Sequence, residues 1–265
     1  MTPLAIEGVA VIGPGLADWA AAREVLAGKT PYAAAPAAVP APALLPANER
    51  RRSGLSVRVA IAAGAAALAA CGREPAGVAT VFASSAADGD TCHQICEQLA
   101  GSDRMISPTR FHNSVHNAPA GYWSIATRSM APSTTVCAYD ASFGAGLLEA
   151  AALAHARGEA VLLIAYDVPY PQPLRAKRPV PDAFGVGLVL APAVSGDSLA
   201  ELRLQLGTRA AGTFSDPSLE ALRRAIPAAR CLPLLALLAG GTSGTAVLDY
   251  QEDGVTLEAA VTPCA

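Results

Sequence analysis

The sequence predicts an α/β fold, in which helices pack against a sheet. Segments with the pattern of strands alternate along the chain with segments that have the pattern of helices. One strand, "EAVLLIAYDV" (159–168), is almost uniformly apolar, which is typical of a strand buried in a parallel sheet. The composition, 52% hydrophobic and 15% charged, is that of a globular protein with a large core.

The first part of the chain predicts two strands and two helices, separated by a proline-rich segment. In order, these are the strand "IEGVAVIG" (6–13), the helix "GLADWAAAREVLAG" (15–28), the helix 55–71 and the strand "GVATVFASS" (77–85). The prolines between residues 30 and 46 exclude regular structure, so this segment is predicted to be a surface loop, either ordered or mobile.

The middle of the chain continues the alternation of helices and strands. It contains the helix "DGDTCHQICEQLAG" (88–101), a loop and an interrupted helix (107–129), the strand "STTVCA" (133–138), the helix "SFGAGLLEAAALAHARG" (142–158) and the strand 159–168. The last part predicts the strands 184–193 and 200–208, the helix 216–240 and a hairpin over 245–262. The hairpin is predicted to turn near Asp253 and Gly254.

The charge balance argues against a polyanion-binding protein. The formal net charge is -3 and the pI is about 5.8, so the chain has no overall basic field to hold nucleic acid or an anionic membrane.

The N-terminus has no basic region before its apolar stretch, so we expect no signal peptide. The apolar runs are shorter than the roughly 20 residues that span a bilayer. We therefore expect a cytoplasmic protein without a membrane span. The six cysteines are scattered along the chain and are expected to be reduced.

Three common functional motifs fail on inspection of the sequence. Gly13 and Gly15 lie between a strand and a helix, but Asp18 stands where a dinucleotide-binding fingerprint needs its third glycine. The pair Cys92 and Cys96 is not followed by a second ligand pair at zinc-like spacing. The pair His112 and His116 has Asn113 where a zincin helix needs its Glu, so we expect no metal and no cofactor. No G-x-S-x-G motif of a serine hydrolase is present, and all four histidines lie in the first 155 residues.

The segment 107–174 resembles the N-terminal half of β-ketoacyl synthases. The stretches "AGLLEA" (145–150) and "AYDVPYP" (165–171) are similar to those of shortened synthase-like proteins, the chain length factors of aryl polyene pathways. The resemblance extends over about residues 5–192.

The resemblance implies a thiolase-like fold, an αβαβα layer sandwich that full synthases build from two similar halves. Residues 1–195 would form the ketosynthase-like N-terminal domain, and residues 196–265 a reduced C-terminal segment, a helix and a β-hairpin, packed on it. The second half of a full synthase carries two catalytic histidines and a supporting lysine, and the last hundred residues of this chain contain no histidine.

The family's nucleophilic cysteine lies at the turn between a strand and a helix. Counting back without gaps from "RGEAVLLIAYD" places that position at Ala141, between Asp140 and Ser142. Cys137 lies four residues earlier, and we expect it inside the preceding strand with its side chain buried. The carboxylate of Asp140 would raise the pKa of a neighbouring thiol. The hypothesis is therefore that the nucleophile position is degenerate.

In synthase dimers, the segment equivalent to "SPTRFHNSVHNAPAG" lies at the subunit interface and reaches toward the acyl tunnel of the partner. The resemblance thus implies a heterodimer with an active β-ketoacyl synthase that receives substrates from an acyl carrier protein. The candidates for the tunnel wall and the partner interface are Phe111, Ser114, Val115, His116, Tyr122 and Trp123.

Two alternatives remain open on the sequence alone. Phe111 and Val115, spaced i, i+4, can equally be core residues on one helical face, and Tyr122 and Trp123 can be ordinary core aromatics. The chain can also be an independent acyltransferase or condensing enzyme that uses Cys137 as its nucleophile.

Overall fold

The computed structural model describes residues 2–251 and 253–264. These residues form eight strands and ten α-helices. The strands are β1 (Leu4–Ile12), β2 (Ala79–Ala83), β3 (Ser133–Val136), β4 (Val161–Asp167), β5 (Phe184–Ala191), β6 (Ala200–Gly207), β7 (Gly244–Asp249) and β8 (Thr256–Pro263). The helices are α1 (Trp19–Leu26), α2 (Ala47–Arg52), α3 (Leu55–Ala70), α4 (Gly89–Ala100), α5 (Pro108–Asn113), α6 (Ala118–Thr127), α7 (Ser142–Arg157), α8 (Leu174–Lys177), α9 (Pro217–Ala225) and α10 (Leu232–Gly240).

The strands form one mixed sheet in the order β3-β2-β4-β5-β1-β6-β8-β7. Strand β2 is parallel to both β3 and β4, and the other neighbouring strands are antiparallel. Strand β6 pairs with the start of β1, so residues 196–265 add three strands to the same sheet. The domain boundary at residue 195 stays a prediction.

Helices cover both faces of the sheet, which confirms the α/β expectation. Successive residues of β4 point to opposite faces. Leu162 and Ile164 join the cluster around α3 and α6. Leu163 and Ala165 join the cluster around α7 and α10. The uniformly apolar pattern of β4 therefore has its physical cause in burial on both faces.

The alanine-rich helix α3 lies unusually close to the sheet. A Cβ atom on Gly187 of β5 would lie 2.5 Å from the carbonyl oxygen of Ala63, which is too close for any side chain. Glycine on the strand and alanine on the helix allow the two backbones to approach. The high alanine content thus serves close packing between layers.

The proline-rich segment is anchored to the rest of the molecule. The amide of Ala37 donates a hydrogen bond of 2.8 Å to the carboxylate of Asp182, and the amide of Gly15 donates one of 2.8 Å to Ala35. Leu45 is fully buried. The ordered alternative for residues 30–46 is therefore confirmed.

The single helix expected over residues 216–240 is wrong. Helix α9 ends at Ala225, Ile226 takes an extended conformation, and a 3₁₀ turn (Pro227–Cys231) leads into α10. The break has a local cause, because a proline disfavours helical geometry in the residue before it.

No helix among the described residues is long and apolar enough to cross a membrane.

Candidate functional site

The turn between β3 and α7, here called the elbow (137–142), contains the position at which the resemblance to synthases predicts the nucleophile. Strand β3 ends at Val136, a 3₁₀ turn covers Tyr139–Ala141, and α7 begins at Ser142. Tyr139 has a φ of 51°, in the left-handed region that non-glycine residues rarely adopt. The half-buried side chain at the expected nucleophile position is the methyl group of Ala141.

Ser142 does not replace the missing thiol. Its hydroxyl is buried, donates a hydrogen bond of 2.8 Å to the carbonyl of Tyr139 and accepts one of 3.0 Å from the amide of Ala138. Both bonds close the turn on itself. Ser142 therefore stabilises the elbow instead of presenting a nucleophile.

Cys137 is not buried in a strand, so that expectation is wrong. It lies one residue past the end of β3, its side chain is exposed, and its thiol donates a hydrogen bond of 3.3 Å to the carbonyl of Ser85. The strand pairing with β2 stops at Val136, which releases Cys137 from the sheet.

The carboxylate of Asp140 is bound between two arginines. One oxygen accepts a hydrogen bond of 2.5 Å from Arg178, and the other accepts one of 2.9 Å from Arg230. Both oxygens are thus occupied by charge-assisted bonds. The arrangement fixes the elbow and engages both oxygens of Asp140 in structural contacts.

The two-arginine arrangement continues into a chain of alternating charges. Arg230 also approaches Asp249 at 3.1 Å, Asp249 approaches Arg223 at 3.3 Å, and Arg223 pairs with Glu220 at 2.7 Å. The hydrogen bond from Arg223 lowers the pKa of Glu220. The network ties the elbow to α9 and to the end of β7.

Arg178 also covers Tyr139. Its guanidinium carbon lies 3.6 Å from the centroid of the Tyr139 ring, a cation–π contact, and its Nε donates a 3.4 Å hydrogen bond to the hydroxyl of Tyr170. A single arginine therefore bridges the exposed surface of the elbow and the polar interior behind it.

A buried carboxylate, Asp167, lies at the end of β4 behind the elbow. It accepts hydrogen bonds from the amide of Ser85 at 3.0 Å, from the hydroxyl of Ser85 at 2.6 Å and from the amide of Ala228 at 2.8 Å. Burial raises its pKa to about 6, although these hydrogen bonds oppose the shift. The hydroxyls of Ser85 and Tyr170 lie 3.0 Å apart, so a polar path runs from Asp167 through Tyr170 to Arg178.

The two stretches that carried the resemblance have identifiable physical roles. Gly146 of "AGLLEA" faces β2, where a Cβ atom would lie 2.7 Å from the Cβ of Ala83. Gly144, two residues earlier, faces a different neighbour: a Cβ atom there would lie 2.5 Å from the carbonyl oxygen of Asp249. "AYDVPYP" contributes Asp167 and Tyr170 to the buried network. Both stretches thus hold the elbow in place.

The predicted tunnel-wall residues lie on and just after α5, away from the core. Phe111 and Val115 are 66% and 48% exposed, which removes the core alternative for this pair. Ser114 is half-buried, and its hydroxyl donates a hydrogen bond of 2.9 Å to the carbonyl of Phe111. Nε2 of His116 is buried and has no hydrogen-bond partner among the described residues.

Tyr122 and Trp123 are core residues, as the second interpretation held. Each is 1% exposed; Trp123 packs edge-on against Phe82 with ring centroids 6.5 Å apart, and the Tyr122 hydroxyl donates a hydrogen bond of 3.0 Å to Asn113. Neither can reach a partner, so we remove both from the candidate surface.

The described residues contain no group of three or more metal-binding side chains. Helix α5 ends at Asn113, so His112 and His116 do not share a helical face. Cys92 and Cys96 lie on α4 with exposed side chains.

Sequence reasoning missed the arginines and the buried carboxylate of this region. Arg178 and Arg230 lie 38 and 90 residues from Asp140 along the chain, and no local pattern links them. A signal for Asp167 was available, because an acidic residue at the end of a uniformly apolar strand must find partners.

The fold is that of a ketosynthase-like protein. The chain belongs to the family described as "Beta-ketoacyl synthase, N-terminal domain", whose sequence profile matches residues 19–242. The match continues 50 residues beyond residue 192, where the resemblance was expected to end, and includes the whole of α9 and α10.

Solved structures of similar fold are ketosynthase assemblies. The ketosynthase ApeO in complex with its chain length factor ApeC from Xenorhabdus doucetiae matches with a TM-score of 0.73 at 24% identity, over 98% of this chain and 100% of the matched chain. The ishigamide ketosynthase/chain length factor matches with a TM-score of 0.71 at 15% identity, over 100% of both chains.

The third structure is AntDE:AntF, a type II polyketide synthase acyl-carrier protein in complex with its ketosynthase bound to the hexaketide. It matches with a TM-score of 0.76 at 12% identity, over 99% of both chains. These likenesses confirm the thiolase-like fold. The comparison with curated protein sequences gave no match.

Proposed function

We propose that this chain is a chain length factor: a non-catalytic subunit that pairs with an active β-ketoacyl synthase and helps to shape its acyl tunnel. The pathway would be of the aryl polyene or polyketide type, supplied by an acyl carrier protein. The observation that carries the proposal is the elbow, where the family's nucleophile position holds Ala141.

The surroundings of the elbow support a non-catalytic role. The hydroxyl of Ser142 makes two hydrogen bonds within the turn, and both oxygens of Asp140 are bound by arginines. Condensation also needs groups that stabilise charge on the thioester carbonyl, and the family's histidines for this purpose have no counterpart in the last hundred residues.

The exposed apolar side chains support a partner surface. More than half of the large apolar side chains that are exposed lie between residues 99 and 139. They are Leu99, Met105, Phe111, Val115, Ile125, Met130 and Tyr139. Of these, Phe111 and Val115 line one surface cleft, and exposed apolar side chains that lie together are typical of a protein–protein interface. The edge strand β3, which pairs only with β2 among the described strands, lies in the same stretch.

Phe111 and Val115 are the candidates for contact with the partner's tunnel. Phe111 is exposed to a larger fraction than Tyr139, the other large exposed aromatic residue of this surface, and its exposure leaves it free to insert into a cavity of another chain. His116 is half-buried and its buried Nε2 has no hydrogen-bond partner among the described residues, so a group of the second subunit could satisfy this nitrogen only after the side chain moves. Ser114 fixes the end of α5 between these residues.

The experiment is co-expression with a candidate synthase, followed by mass measurement of the complex and of its products. A heterodimer is expected, and Phe111→Ala should lengthen or broaden the product range. Leu206→Ala is the matched control, because Leu206 is 57% exposed on β6 at a distance along the sheet from β3. A stable monomer with no affinity for the synthase, or an unchanged product range in Phe111→Ala, contradicts the proposal.

The exposure of Cys137 favours one second candidate, an independent acyltransferase or condensing enzyme. The purified protein would be incubated with radiolabelled acyl-carrier thioester, with Cys137→Ser as the control. Stable labelling that disappears in the variant would establish the enzyme; no labelling is expected for a chain length factor. The cytoplasmic location stays a prediction.

A further inference from the structure

Helix α4 carries two thiols on one face. Cys92 and Cys96 are four residues apart, so their side chains are neighbours on the helix surface, and both are exposed. We propose that this pair is a site of reversible oxidation, at which a peroxide converts the two thiols into an intramolecular disulfide and opens the middle of α4.

The two thiols are neighbours, but an intact helix holds them too far apart to be joined. Side chains four residues apart on a helix have Cβ atoms about 5–6 Å apart, whereas the Cβ atoms of a disulfide lie about 3.5–4.5 Å apart. Formation of the disulfide therefore needs a local opening of α4 that brings the two Cβ atoms together.

The packing of α4 permits this opening. None of its 12 residues is buried, so little apolar contact is lost when a turn opens. Polar contacts hold its two ends: the carboxylate of Asp88 accepts a hydrogen bond of 2.9 Å from the amide of Thr91, and the side-chain amide of Gln98 donates to the carbonyl of Met105. The ends can therefore stay in place while the middle of the helix opens.

The surroundings of Cys92 make it the slower of the two thiols. Partial burial and the nearby carboxylate of Asp88 raise the pKa of Cys92, so little of it is thiolate near neutral pH. Its thiol also donates a hydrogen bond of 3.8 Å to the carbonyl of Ser114, just after α5. Cys96 therefore reacts first with the peroxide, and Cys92 closes the disulfide.

The reaction balances with hydrogen peroxide as the oxidant. The sulfur of Cys96 attacks one peroxide oxygen, the O–O bond breaks, and the leaving hydroxide takes up the thiol proton as water, which leaves a sulfenic acid on Cys96. The sulfur of Cys92 then attacks that sulfur, the S–O bond breaks, and the hydroxide leaves with the proton of Cys92 as a second water. The two sulfurs together lose two electrons, and a thiol reductant reverses the change.

Tryptic digestion isolates the pair, because Cys92 and Cys96 are the two cysteines of the tryptic peptide 74–104. The full chain would be treated with hydrogen peroxide, alkylated with iodoacetamide and digested. The peptide should be unalkylated and two hydrogen atoms lighter than its reduced form, and dithiothreitol before alkylation should restore both alkylation sites. Alkylation of both thiols after peroxide treatment, or a cross-link between two chains in place of the internal bond, overturns the proposal.

Single variants test the two thiols separately. Cys137→Ser, which removes an exposed thiol from the elbow, is the matched control and should form the disulfide of α4 at the wild-type rate. In Cys92→Ser, dimedone should capture a sulfenic acid on Cys96 at least about tenfold faster than it captures one on Cys92 in Cys96→Ser. Equal rates of capture would contradict the order of reaction, and a slowed disulfide in Cys137→Ser would contradict the assignment to α4.

Hydrogen exchange tests the opening of the helix. In the oxidised chain, the backbone amides of residues 92–100 should exchange at least about tenfold faster than in the reduced chain, while those of α7 should not change. Equal protection of α4 in the two forms would contradict the opening. The oxidation takes place in the isolated chain, so failure to pair with a synthase would sink the proposed function alone.

Discussion

The guanidinium of Arg178 is stacked on the ring of Tyr139, with 3.6 Å between its central carbon and the ring centroid. Tyr139 has a positive φ of 51°, a strained backbone conformation for a residue other than glycine. The side chain of this strained residue is the one that Arg178 contacts. The same guanidinium binds Asp140. Arg178 therefore offsets local backbone strain while closing the surface where a synthase would present its thiol.

Replacing Arg178 should destabilise the fold. Arg178→Met leaves the Asp140 carboxylate with one arginine and removes the donor to Tyr170, at a cost of about 1–3 kcal/mol in the free energy of unfolding. Urea denaturation followed by circular dichroism measures the change. Arg175→Met, a variant of an exposed arginine of α8, should remain within about 0.5 kcal/mol of the wild type. Equal effects of the two variants would contradict the bridging role.

Restoring a thiol at the elbow should not restore catalysis. Ala141→Cys should give a protein that reacts with iodoacetamide at residue 141, because the side chain is half-buried and the helix N-terminus favours a thiolate. Condensation should stay undetectable, since Asp140 and Ser142 are both engaged in holding the turn. Mass spectrometry of carrier-bound products checks this. A condensed product from this variant alone would mean that the remaining machinery is present.

The stability of the protein should depend on pH through Asp167. Its pKa rises from 3.8 to about 6 on folding, so below about pH 4 both states are protonated, and above pH 6 the folded state must hold a buried charge. As pH rises from 4 to 7, the wild type should lose up to about 3 kcal/mol relative to Asp167→Asn, if no other group differs between them.

Paired urea denaturation curves at pH 4, 5, 6 and 7 measure this difference. Asp197→Asn, at an exposed aspartate, should show a constant difference from the wild type over the same range. A constant difference for Asp167→Asn as well would show that its carboxyl does not titrate in this window. Asp167→Asn should in addition be less stable than the wild type at neutral pH. The amides of Ser85 and Ala228 donate to the two oxygens of Asp167, and the amide nitrogen of asparagine cannot accept either bond.

Phe111 and Trp123, both aromatic candidates for the interface, should respond differently to truncation. Trp123→Ala empties a buried site and should cost about 3–5 kcal/mol, whereas Phe111→Ala should change the free energy of unfolding by no more than about 0.5 kcal/mol. Thermal denaturation of the purified variants distinguishes them. A large loss of unfolding free energy in Phe111→Ala would show that Phe111 is a core residue.

Two glycines offer a matched test of the close packing behind "AGLLEA". Gly146→Ala places a methyl group 2.7 Å from the Cβ of Ala83 and should cost about 1–3 kcal/mol. Gly121→Ala adds a methyl group in α6 with no atom within 4 Å, and should stabilise the helix by about 0.5–1 kcal/mol. Shifts of the same sign in the two unfolding midpoints would show that helix propensity, not packing, dominates at residue 146.

Local patterns predicted most strands and helices well, because the secondary structure of a segment depends largely on residues that are close in sequence. The uniform apolar run of β4 and the alanine-rich pattern of α7 were both confirmed, and so was the hairpin of β7 and β8. The break at Pro227 was missed because the apolar residues on both sides of it share a helical period. The end of β3 before Cys137 was missed for a similar reason, since pairing with β2, and not composition, decides where it stops.

The chemistry around the elbow was harder to predict. Ala141 followed from counting within the family, but the partners of Asp140 come from residues 178 and 230. A sequence shows which charges exist and gives no sign of which pairs the fold brings within 3 Å. The exposure of Phe111 could not be predicted from the sequence either, because its i, i+4 spacing with Val115 is compatible with a core face and with a docking face.

The strand β1 occupies the centre of the sheet although it is made near the start of the chain. Ala5 pairs with Ala191 on one side and with Glu201 on the other, so its nearer partner lies 186 residues later in sequence. A ribosome must therefore release most of the polypeptide before β1 can be hydrogen-bonded on either edge. Until then an apolar strand stays exposed, which makes folding slow and dependent on distant contacts, and leaves the nascent chain open to capture by chaperones.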